Sequence, residues 1–236
     1  MWLRLPSAGS LSHTEYRSDP TIDLTWALIL ASARNIVAES NSLRSGGWQR
    51  TVGTELRGKT LGVLGLGRVG SEVARIGRAF GMDLIAWSQN MTPEAAQAAG
   101  ALLVSKDELF EQADILTIHL VLSGRTRSLV GAAELALMKP TARLINASRG
   151  PIVDEQALIR ALRNRQIAGA AIDVFDIAPL PASHPFRTLD DVLATPHTGY
   201  VAQGLYRTFY EDSGQISENG STLDRRRNNR SFRKAQ

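Results

Sequence analysis

KTLGVLGLGRVGSEVARIGRAFG, residues 59–81, decides the fold. Leu61 to Leu64 is short, mostly apolar and β-favouring, which predicts a buried strand rather than a helix. Three glycines follow at Gly65, Gly67 and Gly70. The first permits a tight turn, the second lets the backbone approach a pyrophosphate, and the third lets a helix lie close to the strand. Val69, Val73, Ile76 and Phe80 recur at three- and four-residue spacing, so a helix is predicted to start just after the second glycine. Its free N–H groups and positive dipole end would face an anion in the turn. The same string elsewhere would be an ordinary glycine-rich turn; strand before and helix after make a dinucleotide phosphate the natural occupant.

Outward from that stretch, Asp83 to Ser88 reads as the next strand. A site that prefers NAD usually carries an acid at its end for the ribose 2′-hydroxyl. This chain has Ser88, Gln89 and Asn90 there, with neither a carboxylate to repel a 2′-phosphate nor an arginine to bind one, so NAD and NADP both stay open.

Helix and strand patterns then alternate. Helices are predicted from Thr92-Pro93, over Lys106 to Gln112, near Ala132 to Met138, and over Glu155 to Asn164 with Asp154 as N-cap. Strands are predicted over Ala101 to Val104, Ile115 to Leu120, Ala142 to Ala147, Ala168 to Val174 and Asp190 to Thr195. Apolar strands alternating with helices imply an α/β fold: a doubly wound parallel sheet covered on both faces, the Rossmann arrangement. A long helix from Asp19 or Thr21 to about Leu43, ended by Gly46-Gly47, precedes it. It is apolar enough to need cover from a second lobe or a partner chain. Four regions result: 1–18 irregular and expected to be disordered; 19–200 the dinucleotide-binding domain with its linking or dimerisation helix; 201–212 a short helix; and 213–236 a polar, basic tail expected to be disordered.

With 236 residues and 43% hydrophobic content, the chain can bury a substantial core. It has no cysteine, which excludes disulfides and thiolate metal sites, and no histidine spacing for a metal is present. The net charge of +4 is concentrated at the end, where Arg225, Arg226, Arg227, Arg230, Arg233 and Lys234 stand against Asp224. The body is near neutral, so no nucleic-acid face is expected and the tail reads as a solvated end. The opening residues lack the apolar core of a signal peptide, and the run Leu24 to Ala33 is too short to span a bilayer. A cytoplasmic protein without a membrane segment is the expectation.

In an open parallel sheet, ligands lie beyond the carboxyl ends of the strands. Ala147-Ser148-Arg149-Gly150, Asp173 and His197 are predicted to stand there. Arginine offers a planar fork for a carboxylate, and histidine exchanges a proton near neutral pH. Structural roles compete: a strand-end ion pair for Arg149, a turn histidine after Pro196 for His197, a turn cap for Asp173. His13, His119 and His184 have no comparable context and are read as structural or exposed.

The ordered motifs GLGRVG, NASRGPIVDEQAL, AGAAIDVFDIAPLP and ATPHTGY resemble those of the D-isomer-specific 2-hydroxyacid dehydrogenases over roughly Thr21 to Asp212. The resemblance implies hydride transfer between NAD or NADP and a small 2-hydroxy or 2-keto acid, in a homodimer. By it, Arg149 orients the substrate and His197 is the acid/base. Arg68 and Val69 join the glycines at the pyrophosphate, Ser88 faces the adenosine ribose, and Ala147, Ser148, Asp173 and Gly199 line the nicotinamide half. Three departures stand out. Ala178 occupies the place of a glutamate that orients the histidine, with Asp176 two residues away. An irregular stretch stands where an N-terminal lobe is expected, and an arginine-rich end stands where a returning helix is, so both ends read as truncated.

Overall fold

Two helices, α1 (Asp19–Ala33) and α2 (Ile36–Arg44), open the computed structural model, which describes residues 18–210. Then follow β1 (Thr60–Leu64), α3 (Arg68–Ala79), β2 (Asp83–Trp87), α4 (Pro93–Ala98), β3 (Leu102–Leu103), α5 (Lys106–Gln112) and β4 (Ile115–Ile118). The order closes with α6 (Ala132–Leu137), β5 (Arg143–Asn146), α7 (Glu155–Arg163), β6 (Gly169–Ile172) and β7 (Val192–Ala194). The strands form one seven-stranded sheet in the order β3-β2-β1-β4-β5-β6-β7, and every neighbouring pair is parallel. This is the predicted doubly wound sheet. Strand order reverses between β1 and β4, and a parallel sheet opens a crevice at such a point.

Strand side chains alternate between faces, so each strand feeds two apolar layers. Leu64, Leu116, Ile118, Leu144 and Ile172 meet Phe110, Leu135, Leu158 and Leu162 on the face of α5, α6 and α7. Leu61, Val63, Leu84, Ile145 and Ala171 meet Trp26, Ile29, Val73 and Ala74 on the face of α1 and α3. Local caps fix the connecting helices. Ser105 and Glu108 make a capping box on α5, and the Asp154 carboxylate accepts the Ala157 N–H at 2.9 Å at the start of α7, as predicted. Strand β3 has two residues where four were predicted, and short 3₁₀ turns at Gly150–Ile152 and Pro185–Arg187 were not foreseen.

The long first helix is corrected in two ways. It breaks at Asn35, which takes a left-handed φ of 50°, and α2 leaves at a bend of 63°. Asparagine tolerates that conformation better than most residues. The Ala33 carbonyl then accepts the Thr54 N–H at 2.8 Å instead of continuing the helix. Cover for α1 comes from this domain itself: Trp26, Leu28 and Ile29 are buried, and Trp26 stacks on Phe80 with ring centroids 4.9 Å apart. The apolar surface left open belongs to α2 and the segment after it, at Ile36, Val37, Leu43, Trp48 and Val52. No single helix among the described residues is long and apolar enough to cross a membrane.

Ser18–Tyr200 is one compact unit, and residues 201–210, outside it, are helical over 203–210. Ser18, expected within the irregular start, is buried and its carbonyl accepts the Thr21 and Ile22 N–H groups, both at 3.1 Å. The rest of that start, His13, and the basic tail lie outside the described residues.

Candidate active site

The turn after β1 is shaped by what its glycines exclude. Gly65 has φ +99°, and a Cβ on it would come within 2.9 Å of Leu120. A Cβ on Gly70 would stand 2.1 Å from the Gly65 carbonyl oxygen, so the first turn of α3 lies directly on the strand exit. At Gly67 a Cβ would meet nothing within 4 Å. That empty side is the cradle a diphosphate needs: open space above the turn, facing a helix that no side chain caps. Its first-turn N–H groups have no partner within the helix. The open, uncapped turn formed by Gly65, Gly67, Arg68, Val69 and Gly70 fits a dinucleotide, whose diphosphate it would hold.

Two further groups flank the turn. The carbonyl of Trp87, last residue of β2, accepts the Gly65 N–H at 2.9 Å, so Ser88 follows directly beside the turn. The next carboxylate along the chain, Glu94, is engaged with its own N–H and the Thr92 hydroxyl, and its pKa is lowered by them. His119 follows β4; its ring Nε2 is 2.9 Å from the Thr117 hydroxyl, and burial lowers its pKa to about 4. At neutral pH it is uncharged and can hold the strand exit, but it cannot store a proton.

At the exit of β5, the buried Asn146 organises the loop from within. Its amide donates to the Arg149 carbonyl at 3.1 Å, and its Oδ1 accepts the Ser148 N–H at 3.0 Å. The Ser148 hydroxyl donates to the Leu120 carbonyl at 2.6 Å, tying this loop to the exit of β4. Ala147 is buried, whereas Arg149 is exposed. A Cβ on Gly150 would stand 2.2 Å from the Phe175 carbonyl carbon, so only glycine lets the Arg149 backbone lie against the exit of β6. In the sequence, the only signal of this role is an asparagine ending an apolar strand, buried in the fold.

The loop after β7 is held by Asp173. Its carboxylate, 0% exposed, accepts the Thr195 hydroxyl at 2.6 Å, the Thr198 N–H at 2.8 Å and the Gly199 N–H at 2.8 Å. His197 lies between those contacts at a left-handed φ of 55°, exposed, its ring edge-on to Tyr200 at 5.3 Å. The Gly199 carbonyl accepts the Thr21 hydroxyl of α1 at 3.2 Å. A non-glycine residue held in that region marks a position the surroundings over-determine. Thr195 and Thr198 were not singled out in the sequence, because their role exists only through a strand far away in the chain.

No hydrogen bond to the His197 ring occurs among the described residues. Ala178 is exposed. Asp176 answers to other groups: its N–H donates to Glu155 Oε2 at 3.4 Å, and Glu155 Oε1 is 2.9 Å from His184 Nε2. Partial burial first, then the Glu155 carboxylate, raise the Asp176 pKa. The glycine turn, Ser88, Arg149, Asp173 and His197 thus share the carboxyl edge of the sheet, while the acid nearest in sequence to Ala178 is drawn into a separate cluster.

Residues 26–199 match the family described as D-isomer specific 2-hydroxyacid dehydrogenase, NAD binding domain. The chain belongs to that family. It is 47% identical over 189 residues to a glyoxylate reductase of Aeropyrum pernix, covering 76% of this chain and 56% of that protein. It thus spans about half the length of that relative. The structure of a phosphoglycerate oxidoreductase from Vibrio cholerae superposes with a TM-score of 0.82 at 32% identity, covering 87% of this chain and 68% of that one. A D-lactate dehydrogenase with NAD+ from Lactobacillus jensenii gives 0.73 at 28% identity, over 84% and 64% of the two chains. The domain seen here is therefore a Rossmann-type NAD-binding domain of the 2-hydroxyacid dehydrogenase family, and its cofactor is NAD or NADP.

Proposed function

We propose that this domain serves an NAD(P)-dependent reductase or dehydrogenase acting on a small 2-hydroxy or 2-keto acid. The observation that carries the reading is the placement of Arg149 and His197 on the same sheet edge as the open glycine turn. When bound, the nicotinamide supplies or accepts the hydride at the substrate carbon. Arg149, exposed at the β5 exit with its backbone fixed against β6, holds the substrate carboxylate through paired N–H donors. The His197 ring gives a proton to the carbonyl oxygen in reduction and takes it back in oxidation. Ala147, Ser148, Asp173 and Gly199 shape the floor beside the ring. Ser88, neutral, accepts either ribose.

A second reading follows from the His197 ring, which lacks a carboxylate partner among the described residues: a dinucleotide-binding module with impaired turnover. Exposed Ile36, Val37, Leu43, Trp48 and Val52 support pairing of two copies through α2 and its following segment. Oxidation of NADH and NADPH with glyoxylate, hydroxypyruvate and related 2-keto acids tests the first reading. Saturable turnover lost in His197→Ala supports it. Tight cofactor binding with no turnover above that variant selects the module, and no saturable cofactor binding ends both.

A further inference from the structure

We propose a second ligand site on the opposite edge of the sheet, a cavity that takes a small oxyanion of the size of inorganic phosphate or a two- to three-carbon carboxylate. A cavity of about 160 Å³ opens there, lined by Ala33, Thr54, Lys59, Asp114, Thr141 and Arg143. Lys59 precedes β1, Asp114 precedes β4 and Arg143 begins β5, so in a parallel sheet all three stand at the amino edge. The glycine turn and His197 are at the other. A cavity of about 150 Å³ accommodates a six-atom ring, so five or six heavy atoms fit.

The lining is short of negative charge. Arg143 is partly buried, and its guanidinium has one side-chain hydrogen bond, to Asn35 Oδ1 at 3.4 Å. A guanidinium carries five N–H donors, so most of this one's capacity is open. Burial lowers its pKa and the Asp191 carboxylate opposes this at longer range, so the cation is partly stripped of water without a close counter-ion. Lys59 makes no hydrogen bond or ion pair with a side chain among the described residues. The one carboxylate in the lining is already neutralised: Asp114 accepts Lys139 Nζ at 2.9 Å and the Thr60 N–H at 2.8 Å. Burial works to raise the Asp114 pKa, but those two donors outweigh it and hold the group ionised.

Two cations with vacant donors, a spent carboxylate and the Thr54 and Thr141 hydroxyls complement a compact anion. They do not complement a metal ion, which would need free carboxylates, or an apolar ligand. The break at Asn35 is part of the construction. It brings Oδ1 to Arg143 and frees the Ala33 carbonyl to anchor Thr54 at the rim.

The test is calorimetric titration of the cofactor-free full chain with sodium phosphate and, separately, sodium acetate at fixed ionic strength. One saturable equivalent is expected, weakened at least tenfold in Arg143→Met and in Lys59→Met, and unchanged in Arg149→Met. Lys59→Met removes the charge from a side chain whose one recorded influence is on the nearby Asp114 carboxylate, itself held by Lys139 and the Thr60 N–H, so it reports even if Arg143→Met folds poorly. Binding of phosphate alone, or of acetate alone, identifies the source of the anion and supports the site. Absence of saturable binding, binding indifferent to both cavity variants, or binding lost in Arg149→Met overturns it. No cofactor, 2-keto acid or turnover enters the measurement, so its outcome is independent of the catalytic reading.

Discussion

The turn after β1 and the loop after β7 occupy the same edge of one sheet and reach their order by opposite routes. At the first, three glycines within six residues do the shaping, through space that a Cβ would fill or leave open. At the second, a carboxylate 26 residues before Gly199 reaches out of the sheet to take the Thr195 hydroxyl before His197 and the Thr198 and Gly199 N–H groups after it. A phosphate cradle needs only backbone donors, so a local motif can build it alone. Placing one imidazole beside a reacting carbon needs a side chain fixed from outside its own segment, and that fixing comes from far along the chain.

The sharpest way to break the comparison is at Asp173. Asp173→Ala should cost roughly 3–5 kcal/mol in chemical denaturation, because it leaves the Thr198 and Gly199 N–H groups buried and unpaired. Asp173→Asn, which keeps the shape and part of the bonding, should cost less than half as much. The matching change at the other region is Gly70→Ala, whose Cβ meets the Gly65 oxygen at 2.1 Å. It should lower stability by roughly 3 kcal/mol and weaken NADH binding in a fluorescence titration. Gly67→Ala, with open space around it, should weaken NADH binding at unchanged melting temperature.

Ala178→Glu sharpens the contrast from the catalytic side. An orienting carboxylate beside His197 is worth on the order of 10²-fold in rate, about 2.7 kcal/mol. A gain of that order in kcat, with little change in KM, is expected if the rest of the site is intact. Equal rates in parent and variant would refute the idea that this position limits turnover.

His119 gives the pH dependence. Its folded pKa of about 4 lies below the ordinary histidine value of 6.5, so the unfolded chain binds the proton first as pH falls. Stability is fully present above about pH 6.5 and declines below it, by roughly 2 kcal/mol at pH 5. Denaturation of the parent and of His119→Gln across that window should show the slope in the first and a flatter line in the second. The smallest effect is expected at Asp176, whose raised pKa means that its ionised form is disfavoured in the folded state. Asp176→Asn should raise the melting temperature slightly at pH 7, and the gain should vanish as pH falls through the carboxylate range.

Much of the fold was legible because its cues are short-range. The strand, glycines and helix of residues 60–79 lie where periodicity put them, and α5 spans the predicted Lys106–Gln112 because its capping box encloses those residues. The break at Asn35 was not legible. A lone asparagine in an apolar helix carries little weight until Thr54 and Arg143 arrive to accept the geometry it offers. The cover of α1 was illegible for a related reason: an apolar helix shows that it must be buried, not what buries it. At the candidate site, residue types pointed to Arg149 and His197. What holds them was hidden, since Asn146, Thr195 and Thr198 matter only through partners that the sheet brings close.

One consequence of the Asp173 carboxylate concerns time rather than energy. The Thr198 and Gly199 amides donate to an oxygen pair that solvent does not reach, so their protons can be traded for deuterons only when the strand exit itself comes apart. The segment bearing the exposed imidazole should therefore rank among the slowest-exchanging parts of the chain, a still mount for the side chain proposed to move protons.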